Sequence, residues 1–130
     1  MDHADEIWNR AALGGGGVDA RSGDRALSAV LALHGLAMSG GLMDAIERVT
    51  SEEADAAEAG FRWLGLGAAA DVVASVRGDI AAGALDDDER AEALELRADE
   101  EYERAVPDDD TLVSAFRTRL AEEPDTFASP

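Results

Sequence analysis

Apolar residues at helical spacing, broken at intervals by glycine or proline, run the length of this chain. Nowhere does an apolar–polar alternation persist for the length of a strand. Helices that each own one apolar stripe must bury those stripes against one another. The expected fold is therefore all-α, a single-domain bundle of six or seven mostly short helices. The 130 residues are enough for one compact domain with one ordinary core.

Residues 4–13 predict a short helix with Ile7, Trp8 and Ala11 on one side, ended by Gly14 to Gly17. Four consecutive glycines are costly to order and tolerate almost any backbone angle. They read either as a joint that lets the first helix act as an arm, or as a plain loop beside a loosely attached terminus. The expected organisation is a short N-terminal helix and Gly-rich joint over 1–17, followed by an acidic all-α domain over 18–130.

The next helix, 24–38, places Leu27, Val30, Leu31, His34 and Met38 on one face. Ser22 or Asp24 is its expected cap and Gly40-Gly41 its end. A short helix over 42–49 turns Leu42, Ile46 and Val49 inward. Thr50 and Glu53 stand at capping-box spacing before a helix carrying Ala54, Ala57, Phe61 and Leu64 inward, closed by Gly65 and Gly67. Ala69, Val72, Val73, Val76 and Ile80 share a face over 68–82, stopped by Gly83. Asp86 or Asp87 caps a long helix running to about Arg104, and Pro107 breaks it. Asp109 or Asp110 then caps a last helix with Leu112, Val113, Phe116 and Leu120 inward, and Pro124 ends it before the tail. Trp8 and Trp63 fall at the edges of core faces, where partial burial is expected.

Charge narrows the function classes. With 29 acids against 11 basic residues, all of them Arg, the formal net charge is −18. Direct binding to DNA, RNA or an anionic membrane is disfavoured, because those partners carry the same sign. Without Cys there are no disulfides and no thiolate metal sites. No apolar run is long enough to span a bilayer, and the first residues are acidic where a secretory leader would be basic. A cytoplasmic location is expected.

The acids are unevenly placed. Residues 86–110 hold thirteen acids and three Arg, net −10, more than half of the total. On a helical wheel of 86–104, Ala91, Leu94, Ala98 and Tyr102 form a narrow apolar stripe, and Arg90, Arg97 and Arg104 recur beside it. Asp88, Glu89, Glu92, Asp99, Glu100 and Glu103 gather opposite, and Asp108, Asp109 and Asp110 follow at the next turn. The ridge from Asp88 to Glu103 is about 22 Å long at ~1.5 Å per residue. Its carboxylates stand roughly 5–6 Å apart. That approaches the ~6–7 Å between phosphates of a strand advancing ~3.4 Å axially per nucleotide as it winds. Like charges at i, i+4 cost ~0.2–0.5 kcal/mol per pair, and Asp86–Arg90 and Glu100–Arg104 are expected to recover part of that.

No arrangement of residues specifies a reaction. His34 sits on an apolar face, where a buried imidazole bonded to a backbone carbonyl is the expected role. The two His, without Cys or a His-Glu motif, do not make a zinc site. Asp86–Asp88 and Asp108–Asp110 lack EF-hand spacing, and helix capping explains them more simply. Gly14–Gly17 lacks the Lys-Ser/Thr of a phosphate loop. No enzymatic activity, no cofactor and no metal are expected.

Three stretches carry a family resemblance. The first is Leu33-His34-Gly35-Leu36-Ala37-Met38-Ser39-Gly40-Gly41-Leu42. The second is Ala56-Ala57-Glu58-Ala59-Gly60-Phe61-Arg62-Trp63-Leu64-Gly65-Leu66 with Ala69-Ala70-Asp71-Val72-Val73 after it. The third is Tyr102, Asp108–Asp110, Leu112, Phe116, Pro124 and Phe127. Over about residues 26–128 the chain is similar to the DMP-like family of small acidic all-α bacterial proteins, which includes a DNA-mimic protein. The family's aromatic-rich stretch after the Gly-Gly turn is replaced here by Leu42-Met43-Asp44-Ala45-Ile46-Glu47. The resemblance implies an all-α fold, homodimerisation, and in at least one branch binding to a DNA-binding regulator through carboxylates that imitate phosphates.

The expected function is a non-enzymatic acidic interaction module. Its ridge would occupy the basic surface of a DNA-binding protein, and reversing Glu92, Asp99 and Glu103 to Arg would abolish binding. The alternatives are an immunity- or antitoxin-like neutraliser of a basic toxin, and a salt-adapted domain with no partner for its acidic patch.

Overall fold

The computed structural model describes residues 2–129; Met1 and Pro130, the outermost residues of the two expected segments, lie outside the described residues. Seven α-helices follow one another: α1 (His3–Leu13), α2 (Ser22–Gly40), α3 (Leu42–Arg48), α4 (Ser51–Trp63), α5 (Gly67–Ala81), α6 (Asp88–Ala105) and α7 (Asp109–Glu122). Short 3₁₀ turns occupy Ala84–Asp86 and Pro124–Thr126. Among the described residues there is no strand, and no helix is long and apolar enough to cross a membrane. The fold is the expected all-α bundle.

The middle of the chain closes a circuit: α2 packs on α4, α4 on α5, α5 on α6, α6 on α3, and α3 back on α2. Leu27, Val30, Leu33, Leu42, Phe61, Val73 and Val76 of these helices are buried in one core cluster, which Leu112 and Phe116 of α7 join. Gly60 permits the close approach of α4 to α2, because a Cβ there would meet the Ala26 carbonyl at 2.7 Å and Val30 at 2.8 Å.

Neighbours on several sides explain why α2 departs from its expected face. Leu33 and Ala37 join Leu27, Val30 and His34 in the core, Leu31 is half-buried, and Met38 is 60% exposed. A helix that touches α1, α3 and α4 buries a wider arc than one stripe, centred elsewhere.

Several ends also differ from expectation. Arg21, not Ser22 or Asp24, is the capping position of α2, and the Asp24 carboxylate reaches back to the Arg21 N–H at 2.9 Å. Gly67 opens α5 instead of closing α4. Asp108, not Asp109 or Asp110, caps α7, accepting the Thr111 N–H at 3.0 Å. The Thr50–Glu53 capping box is present in both directions, at 3.1 and 2.9 Å.

The N-terminal helix is part of the core. Ala4, Ile7 and Ala11 are buried, α1 packs on α2, and Trp8 is half-buried, 5.7 Å from Phe116. The Gly-rich segment has a packing reason as well as a conformational one. All four glycines have positive φ, and a Cβ on Gly16 would stand 2.7 Å from Asp24 Cβ.

Asp24 is fully buried and ties both chain ends together. Its carboxylate accepts the Ala128 N–H at 2.7 Å and faces Arg10 at 3.5 Å. Arg10 in turn donates to the Ala128 and Ser129 carbonyls, both at 2.8 Å. The tail is thereby built into the bundle. Phe127 is buried between Phe116 at 5.4 Å and half-buried Trp63 at 5.7 Å, and Arg119 stacks over the Trp63 ring.

Candidate partner-binding surface

The acidic surface is built on α6. Asp87 caps the helix by accepting the Glu89 N–H at 2.9 Å. Asp88 and Glu89 therefore stand in the first turn, where the helix dipole favours negative charge. Leu94, Ala98 and Tyr102 hold the opposite side in the core. A rotation of ~100° per residue then sets Asp88, Glu92, Asp99 and Glu103 in one row and Glu89 and Glu100 in a neighbouring one. All six are exposed.

Between the two rows lies Leu96, 63% exposed. Glu92 and Glu100 flank it one turn away on either side, and Glu89 and Glu103 two turns away. The charge pattern does not pick out Leu96. Its signal in the sequence is an apolar residue at the middle of an otherwise acidic arc.

Elsewhere on the molecule more than half of the acids are paired with arginine. Among the described residues, nine of the sixteen acids outside 86–110 lie within ion-pair distance of an arginine. Within 86–110 only Glu101 does, 3.8 Å from Arg97. Arg97 is itself turned toward Asp79 on α5, which holds its guanidinium above the ordinary pKa through their hydrogen bond. The expected Asp86–Arg90 and Glu100–Arg104 pairs do not form among the described residues, and Arg90 and Arg104 stand exposed. The acidic ridge thus keeps its charge because the helix turns its central arginine to a neighbour.

Three of the nine candidate residues also hold the fold. Asp99 Oδ1 accepts the Leu42 N–H at 3.0 Å, its carboxylate resting against Gly41. Asp108 caps α7. Asp109 accepts a hydrogen bond from His34 Nε2 at 2.9 Å. Asp110 is exposed in the first turn of α7. The Asp86–Asp88 and Asp108–Asp110 runs therefore each supply a cap. Among the described residues no group of carboxylates and imidazoles converges to hold a metal ion.

His34 is buried as expected, but its partners are side chains and not a backbone carbonyl. Nδ1 lies 2.8 Å from the Tyr102 hydroxyl and Nε2 faces Asp109. A carboxylate only accepts, so Nε2 carries the proton, and in the neutral ring Nδ1 accepts from the tyrosine O–H. The chain Tyr102–His34–Asp109 links α6, α2 and α7, ending on a carboxylate at the surface. Burial first, and then the charge of Asp109, push the Tyr102 phenol above its ordinary pKa. The spacing of residues 34, 102 and 109 gives no hint of this triad; only the tertiary fold assembles it.

Beside Tyr102 a cleft of about 380 Å³ opens between the end of α2, the start of α3 and the end of α6. Ala37, Met38, Leu42, Val106 and Pro107 supply apolar walls, and Asp99 and Glu103 supply the only charges.

Comparison with known protein families, curated proteins and solved structures finds no match to this chain.

Proposed function

We propose that this chain is a non-enzymatic interaction module that sets α6 against the basic, DNA-binding surface of a protein partner, its carboxylates standing where phosphates would. The observation that carries this reading is the contrast in pairing: acids outside 86–110 are mostly matched with arginines, and those inside are not. Self-repulsion along α6 is a cost to folding. Salt adaptation alone would give no reason to confine that cost to one helix and the turn after it. Leu96, 63% exposed between the two acidic rows, adds an apolar contact point to the same face. Complementary charge would make association fast and salt-sensitive.

The test is capture from native lysate by the parent and by a charge-reversed variant. Asp99 holds the start of α3, so reversing it would confound binding with folding. Glu92→Arg, Glu100→Arg and Glu103→Arg together leave that bond intact. A DNA-binding protein retained by the parent and lost with this variant supports the reading. Equal capture by both removes the ridge from it. A basic toxin captured in place of a DNA-binding protein would favour neutralisation, the second role open to the same surface.

A further inference from the structure

We propose that the cleft at the C-terminal end of the acidic ridge is a pocket for a single arginine side chain of the protein partner. The inference rests on the proposed function, since it names how a basic partner is anchored. The cleft takes its charge from two ridge residues, Asp99 and Glu103, and adds apolar walls that the rest of the ridge lacks.

The first point is shape. About 380 Å³ lies at the small end of the range of ligand pockets, ~300–1,000 Å³. The cleft is lined on its inner side by Ala37, Leu42 and Val106, all buried. These walls suit the three methylenes of an arginine stem. Met38, largely exposed at the mouth despite its apolar character, is an adaptable side chain able to close over such a stem.

The second point is charge. Asp99 and Glu103 are the only ionisable acids lining the cleft, and no arginine of the chain enters it. Asp99 is oriented in advance. Its Oδ1 is fixed by the Leu42 N–H at 3.0 Å, which leaves Oδ2 to a ligand. Glu103, one helical turn further on, makes no hydrogen bond or ion pair among the described residues and is exposed. Two carboxylates above an apolar floor match a planar, weakly hydrated guanidinium with several donors better than a compact ammonium. The neighbouring phenol offers no competing charge, since Tyr102 is neutral and its O–H is committed to His34.

The probe is N-acetyl-arginine methylamide, titrated into the full chain at low salt and followed through the Met38 methyl and Leu42 amide resonances. The expected result is a saturable shift confined to residues around the cleft. N-acetyl-lysine methylamide should bind several-fold more weakly. Asp99→Asn keeps an oxygen for the Leu42 N–H, and Glu103→Gln changes an exposed side chain. Each should weaken arginine binding roughly three- to five-fold, the upper range for a part-exposed ion pair. Glu95→Gln, on the same helix but outside the cleft, should change it little.

Non-saturable shifts spread over 88–110, or an equal loss with Glu95→Gln, would overturn the pocket, because arginine would then be following only the general field. That outcome is separable from failure of the functional reading. Lysate capture by the ridge with no saturable arginine site removes the pocket alone. A saturable site in a chain that captures no basic protein keeps the pocket and removes the ridge reading.

Discussion

Tyr102, His34 and Asp109 illustrate how single side chains decide local stability here. In the neutral ring the phenol donates to an imidazole that donates to a surface carboxylate, which satisfies every polar atom of the buried pair. Tyr102→Phe removes the donor facing Nδ1 and leaves a buried acceptor bare. The expected cost is about 1–2 kcal/mol, read from urea unfolding; unchanged stability would contradict the bonding pattern. The pH dependence follows from the same atoms. The folded state binds the phenolic proton more tightly than the unfolded chain, because burial and Asp109 oppose ionisation. That contribution is complete below the ordinary value of 10.0 and is lost as pH rises through the folded value. Tyr102 is the only tyrosine, so phenolate absorbance reports it alone. Its ionisation should lag well behind that of free tyrosine, or arrive together with unfolding. Titration near the free value in the folded protein would place the ring outside the core.

At the scale of elements, α6 has two kinds of acid, and stability separates them. Glu92 has Asp88 and Glu89 behind it and Glu95 ahead at i±3 and i±4, with no cation among them. Glu92→Ala should therefore stabilise the protein, by about 0.5–1 kcal/mol from relief of pairs worth ~0.2–0.5 each. Asp99→Ala should destabilise, since the acceptor lost by the Leu42 N–H is worth about 1–3 kcal/mol and outweighs relief of the Glu95 and Glu103 pairs at ~0.2–0.5 kcal/mol each. Thermal unfolding of the two variants side by side tests the distinction. Two shifts of the same sign would erase it.

The sequence made α6 legible as an element: its stripe of Leu94, Ala98 and Tyr102, its Asp87 cap and its acidic arc all follow from helical geometry. The second task of Asp99 did not follow, because Leu42 is brought to it only when α3 packs on α6. Met38 departs from its expected inward face for a related reason. Periodicity locates a stripe, whereas three neighbouring helices decide how wide an arc of α2 they cover and where it is centred. Arg97 turned out to answer Asp79 on α5, a pairing invisible to i, i+4 rules.

For the whole molecule, one buried carboxylate holds the two ends. Asp24 joins the Gly-rich segment, α2 and the C-terminal tail, with Arg10 completing the clip. Asp24→Ala would leave Arg10 and the Ala128 N–H without their shared acceptor. The expected loss is about 3 kcal/mol in chemical denaturation, as for breaking a buried pair; a loss below that for an ordinary surface substitution would contradict the clip. The clip holds the chain ends, while more than half of the net charge lies in 86–110. The most direct test of the central claim is displacement by nucleic acid. A captured DNA-binding partner, held on immobilised chain at fixed near-physiological salt, is challenged with increasing duplex DNA. The account predicts release over the same concentrations at which that partner binds DNA, with no ternary complex. A partner that stays bound to both at once would show that α6 does not stand where phosphates do.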